Sequence, residues 1–170
     1  NGGTRASAQA SIVTAVNRVS GIYVTEISTR LQLVAGNEQL VYESSLNGCV
    51  DGSNKDCDPF VDGNDDLDKN QLMTDRLIGD ANYDLGHVFT TTSGVAVLGS
   101  AGMTGLKAQG TTGTGTADDG FFVDYVAHEM GHQLGGSHTY NGTESGCNTR
   151  AEDITLRVEP GSGSTIQAYS

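Results

Sequence analysis

The chain has 170 residues, a net charge of −12 and a sequence pI near 4.4, which suits one domain and argues against a nucleic-acid partner, whose phosphates it would repel. No apolar run approaches the length of a bilayer span, and NGGTRASAQ at the start carries no charged-then-apolar leader. A soluble, monomeric protein with no nucleic-acid or membrane partner is expected.

In chain order, residues 8–27 place Ile12, Val16, Val19, Tyr23 and Ile27 at helical spacing. Gly21 either ends that helix or dents it. TRLQLVA then alternates as a half-buried strand does, with Leu31, Leu33 and Ala35 on one face. EQLVYES reads as a second short strand.

The next stretch, NGCVDGSNKDCDPFVDGNDDLDKN, holds seven aspartates from Asp51 to Asp68. A calcium (Ca2+) site is one reading. The EF-hand pattern started at Asp62 would need Gly at 67 and Glu at 73, where the chain has Leu67 and Met73. A solvated acidic loop is the plainer reading. Cys49 and Cys57 bracket a loop that a disulfide would close, for about 2.5 kcal/mol in the chain-entropy account; the alternative is two free thiols. Residues 69–80 are expected to be helical.

YDLGHVFTT and GVAVLGSAG read as short strands, with His87 structural, and the Gly/Thr-rich piece at 110–116 reads as a loop. Asp118 or Asp119 offers an N-cap. Beyond it, Phe122, Val126, Met130 and Leu134 recur every fourth residue, predicting an amphipathic helix of about 13 residues.

That helix carries HEMGHQLGGSH, residues 128–138, with three of the four histidines of the chain. His128 and His132 lie one turn apart on one helix face, the separation at which two imidazoles share a metal ion. Gly135 and Gly136 let the chain break and double back to deliver His138. Glu129 lies roughly 100° around the helix, poorly placed as a ligand but well placed beside a reacting water. Zinc (Zn2+) suits three imidazoles and a fourth, open position.

The pattern H-E-x-x-H-x-x-G-x-x-H resembles the signature of the metzincin zinc endopeptidases. YDLGHVF, GVAVLGS, DYVAHEMGHQLGGSHTYN and EPGSGSTIQAY extend the likeness to reprolysin-like (adamalysin-related) secreted proteases of bacterial type. The resemblance implies an α/β fold: a twisted, mostly parallel sheet with one antiparallel edge strand, two backing helices and an active-site helix, in one catalytic domain over 1–170. It implies zinc on His128, His132 and His138. It also implies Glu129 as the base that takes a proton from the attacking water, and a protein or peptide substrate extended along 94–99. Tyr169 stands where some metzincins keep a tyrosine that steadies the oxyanion; a packed turn residue is the alternative. Gln167 replaces the methionine expected beneath the zinc, and Thr139 replaces the aspartate of adamalysins. Cys147 is expected to lack a partner within the chain, the precursor continuing past Ser170 with a cysteine and a helix. An extracellular zinc endopeptidase is the expected function. A catalytically idle peptide-binding module of the same fold is the alternative.

Overall fold

The computed structural model describes residues 4–42, 58–60, 65–91, 94–113, 118–143 and 154–168. Helix α1, Arg5–Ile27, begins at Thr4, whose hydroxyl accepts from the Ser7 amide while the Ser7 hydroxyl accepts from the Thr4 amide. This reciprocal cap satisfies two donors at the helix start. The helix runs on through Gly21 and closes at Ser28, in the left-handed region at φ 54°. Val16, Val19 and Tyr23 are buried as their spacing predicts, whereas Ile27 at the far end is exposed. The Tyr23 hydroxyl donates to the Ala127 carbonyl at 2.6 Å, tying α1 to the helix that carries the histidines. Burial pushes the Tyr23 phenol well above its ordinary pKa, so it remains a donor.

The strand expected at TRLQLVA does not form among the described residues. Leu31 packs against the core, but its amide donates to the Ser20 hydroxyl at 3.0 Å instead of to a ladder partner. The Val34 carbonyl is taken by the Asn37 side chain at 2.7 Å. EQLVYES likewise opens with a 3-10 turn, Asn37–Leu40. In the first place local side chains answer the backbone groups that a sheet would have used; in the second the backbone turns on itself, the Gln39 amide donating to the Gly36 carbonyl at 3.0 Å.

Helix α2, Asp66–Leu77, starts three residues earlier than its apolar pattern suggested. Asp66 and Asp68 sit in its first turn, where carboxylates complement the positive helix end. Its buried face is largely polar. Asn70 donates to the Ala108 carbonyl at 2.6 Å, and the Gln71 side-chain oxygen accepts from the Ala108 amide at 2.7 Å. Two amide side chains thus clamp the backbone that leads into the sheet. The Cys49–Cys57 pair, Cys147, Tyr169 and Asp51, Asp56 and Asp62 lie outside the described residues. Nothing among the described residues supports a calcium site: the group there able to hold a metal consists of histidines.

The sheet has three strands: β1 (Val88–Thr90), β2 (Val95–Ala96) and β3 (Gly110–Gly113), in the order β1-β3-β2. β1 runs parallel to β3, and β2 is an antiparallel edge with Val95 opposite Thr111. This is the mixed α/β architecture with an antiparallel edge that was expected. The central strand, however, is the GTTG that composition assigned to a loop. Gly110 is needed there because a β-carbon would collide with the Gln133 side chain and lie 2.7 Å from His87 Nδ1.

The histidine helix begins at Asp118, whose carboxylate accepts from the Phe121 amide at 3.0 Å. Its first part, Gly120–Val126, is π-wound and continues directly into α3, Ala127–Gln133. The wider winding turns both Phe121 and Phe122 inward with Val126, against Ala15, Val19, Tyr23 and Met130. Val19 and Val126 are fully enclosed, and each such burial contributes about 1.5–3 kcal/mol.

A polar relay joins this helix to the sheet. The Gln133 amide nitrogen donates to the Gly86 carbonyl at 2.9 Å, which leaves its oxygen to accept from His87 Nδ1–H at 2.7 Å. His87 Nε2 then accepts from the Thr112 hydroxyl at 2.7 Å. Enclosure of the ring pushes the His87 pKa down to about 4, so its neutral form is the folded one. The unfolded chain binds the extra proton between that value and an ordinary histidine pKa of about 6.5. The stability contributed by neutral His87 is therefore complete above about pH 6.5 and is lost as pH falls toward 4. Chemical denaturation of the metal-free protein should show wild type and His87→Gln converging in stability across that window. A constant gap would refute the assignment.

Candidate metal centre

Two glycines shape the site. α3 ends in a left-handed Gly135, φ 99°, and the Gly136 amide reaches back to the Gly131 carbonyl at 2.8 Å. This is the pairing of a Schellman stop, and it sends the chain back so that His138 faces the helix it has just left. The sheet side answers the other helix-end carbonyls: the Gly99 amide donates to His132 and the Ala101 amide to Gln133, at 2.8 and 2.9 Å.

All three predicted ligands meet. Nε2 of His132 lies 3.0 Å from that of His128 and 3.1 Å from that of His138, and the remaining pair is 3.2 Å apart. The His128 Nδ1 lies 2.6 Å from the Ile166 carbonyl, and the His132 Nδ1 lies 2.6 Å from the Gly136 carbonyl. A carbonyl can only accept, so both Nδ1 atoms carry the proton and both Nε2 atoms present a lone pair. The short Nε2 separation of His128 and His132 is therefore that of co-ligands rather than of a hydrogen bond. Tetrahedral zinc with bonds of 2.0–2.1 Å sets its ligands about 3.3–3.4 Å apart. The triad fits that edge closely and suits zinc.

Electrostatics points the same way. Burial, more than the neighbouring imidazoles, pushes the His128 pKa down to about 4, against the opposing pull of the Ile166 carbonyl. Burial also lowers that of His132. Both rings are held in the neutral form that binds a metal. Behind His138 the buried Tyr140 ring lies 5.4 Å away, centroid to centroid.

Gln167 lies under the histidines, at the place where a methionine was expected. Its Nε2 donates to the Gly136 carbonyl at 3.0 Å, the same oxygen that holds His132. Gly131 makes room for it, since a β-carbon there would strike the Gln167 side-chain oxygen. Glu129 is buried on the side of the helix that meets the start of the edge strand. A β-carbon at Gly94 would fall 2.5 Å from Glu129 Oε1 and 2.8 Å from Tyr125 Cζ. The Gly94 amide donates to the Tyr125 hydroxyl. Tyr125 stands one turn before Glu129 on the same face, so one helix positions both the carboxylate and the edge strand.

The sequence profile of Metallo-peptidase family M12B, Reprolysin-like, matches residues 9–139. The chain belongs to that family. It is a zinc metallopeptidase, a hydrolase of peptide bonds. No curated protein and no solved structure matches the chain significantly.

Sequence reasoning found the three histidines and the glycine break. It missed Tyr125, which looked like one more residue of an amphipathic helix, and the two orienting carbonyls, which have no side-chain signal at all. Titration with zinc should give one equivalent bound per chain. His132→Ala should weaken that binding by more than the roughly 10–100-fold that loss of an outer partner causes. Undiminished zinc content in that variant would exclude the triad as the metal site.

Proposed function

We propose that this metallopeptidase is an endopeptidase of the extracellular space, in which Glu129 is the general base and the substrate lies extended along residues 94–99. The observation that carries the reading is the junction at Gly94, where the Glu129 carboxylate meets the start of the sheet's edge strand. Zinc on the three histidines would supply a Lewis acid that polarises a peptide carbonyl and acidifies a water. Glu129 takes the proton of the attacking water and returns it to the departing amine. Its burial keeps that proton away from bulk solvent between the two steps.

The edge strand supplies the other half of the chemistry. β2 ends the sheet, and its Val95 and the nearby Leu98 are exposed. A terminal strand is a template on which an extended peptide adds by backbone pairing. A substrate bound that way passes beside Glu129. Tyr169, two residues after Gln167, is the candidate for steadying the oxyanion. An oxidising compartment is supported by the Cys49–Cys57 spacing.

A quenched generic peptide should be cut by the zinc-loaded protein and spared when a chelator is present. Glu129→Ala should keep its zinc while losing about 10²–10⁴-fold in turnover, the usual worth of a positioned acid–base group. Wild-type turnover in Glu129→Ala would remove it from this role. A zinc-loaded wild type that binds peptide without cutting it would replace the enzyme with a binding module. Tyr125→Phe breaks the bond to Gly94 and should raise KM more than it lowers kcat, as steady-state kinetics would show.

A further inference from the structure

Two departures from the reprolysin-like pattern, Thr139 and Gln167, meet in one turn of the structure. After His138 the chain pairs with the segment around Glu159: the Glu159 amide donates to the Thr139 carbonyl at 2.9 Å and the Asn141 amide to the Glu159 carbonyl at 2.8 Å. The Glu159 carboxylate then gathers four donors. One oxygen accepts from the hydroxyls of Thr139 and Thr165. The other accepts from the amides of Ser164 and Thr165 at 2.7 and 3.1 Å. Left-handed glycines at 161 and 163 let the chain curl around it. The next two residues are Ile166, whose carbonyl holds His128, and Gln167, whose amide shares the carbonyl that holds His132.

We propose that Glu159 is a positioning residue for the metal centre: its carboxylate ties Thr139 to Ser164 and Thr165, and so fixes the turn that orients His128 and His132. This rests on the reading of the triad as a zinc site. The carboxylate touches none of the histidines and has no part in proton transfer. Its hydrogen bonds hold its pKa down to about 2, so it stays an acceptor throughout the neutral range. The Thr139 hydroxyl supplies a donor in this device, and the Gln167 side chain carries the order of the turn to the ring of His132. An aspartate at 139 would set a second carboxylate against Glu159, and a methionine at 167 could not donate to Gly136.

The test is zinc affinity by competition with a chromophoric chelator, together with the exchange rates of the imidazole Nδ1–H protons in the zinc-loaded full chain. Glu159→Ala should weaken zinc about 10–100-fold, the range for outer partners of metal ligands, and should speed exchange at His128 and His132. Glu159→Gln keeps one acceptor oxygen and should fall between it and wild type. Thr139→Val removes a single donor and should shift affinity in the same direction by less. Arg18→Ala, which breaks a surface pair with Asp119, is the control for general loss of stability and should leave both readouts unchanged. Wild-type affinity and exchange in Glu159→Ala would overturn the proposal. If that variant does not fold, wild-type values in both Glu159→Gln and Thr139→Val would do so. A wild type that binds no zinc would instead fail the metal reading itself, a result distinct from any of these.

Discussion

The structure depends on aiming three imidazoles at one point. Each ring must be stripped of water and present a bare Nε2 to the others, an arrangement that lone-pair repulsion opposes unless a cation lies among them. The fold meets that demand with backbone carbonyls, from Ile166 and Gly136, which pin the proton on the opposite ring nitrogen of His128 and His132. One carbonyl comes from the turn that ends the helix. The other comes from nearly forty residues along the chain. The geometry of the metal site is therefore a property of tertiary structure as much as of the motif.

Around that point the rest of the molecule acts as a brace. α1 grips the histidine helix through Tyr23 and a shared apolar core. The sheet grips it through Gln133, His87 and Thr112, a relay in which each polar group is answered in a single orientation. α2 acts one step further away, clamping the backbone just before the central strand. Polar contacts of this kind cost desolvation and return directionality, which suits a site whose ligands must be held within tenths of an ångström.

The parts legible in the sequence were those where side-chain identity and spacing carry the information. Helical periodicity found α1 and the face of the histidine helix, and the eleven-residue motif found the ligands and the glycine stop. The parts that were not legible are decided by contacts between distant segments. GTTG has the composition of a loop, yet it becomes the central strand because Gly110 admits Gln133 and Thr112 answers His87. TRLQLVA has the alternation of a strand, yet Ser20 and Asn37 take the bonds a partner strand would need. The resemblance drew attention to Gln167 by what it lacks. The structure shows what it does instead, which is to donate a hydrogen bond where a thioether would only fill space.

The π-wound stretch from Gly120 to Val126 bears on how the chain tolerates changes in length. A π-turn takes up more residues than an α-turn over the same path, so this stretch holds slack that a regular helix lacks. A one-residue deletion there can be absorbed by rewinding to α, with Asp118 still capping the start and Ala127 still held by Tyr23. The loss would fall on packing, because Phe121 and Phe122 could no longer both face inward. Downstream of Val126 there is no such slack, and losing a residue between His128 and His132 would rotate one ring by about 100° relative to the other. The helix is thus divided at Val126 into an upstream half in which the reading frame of the fold is elastic and a downstream half in which it is fixed.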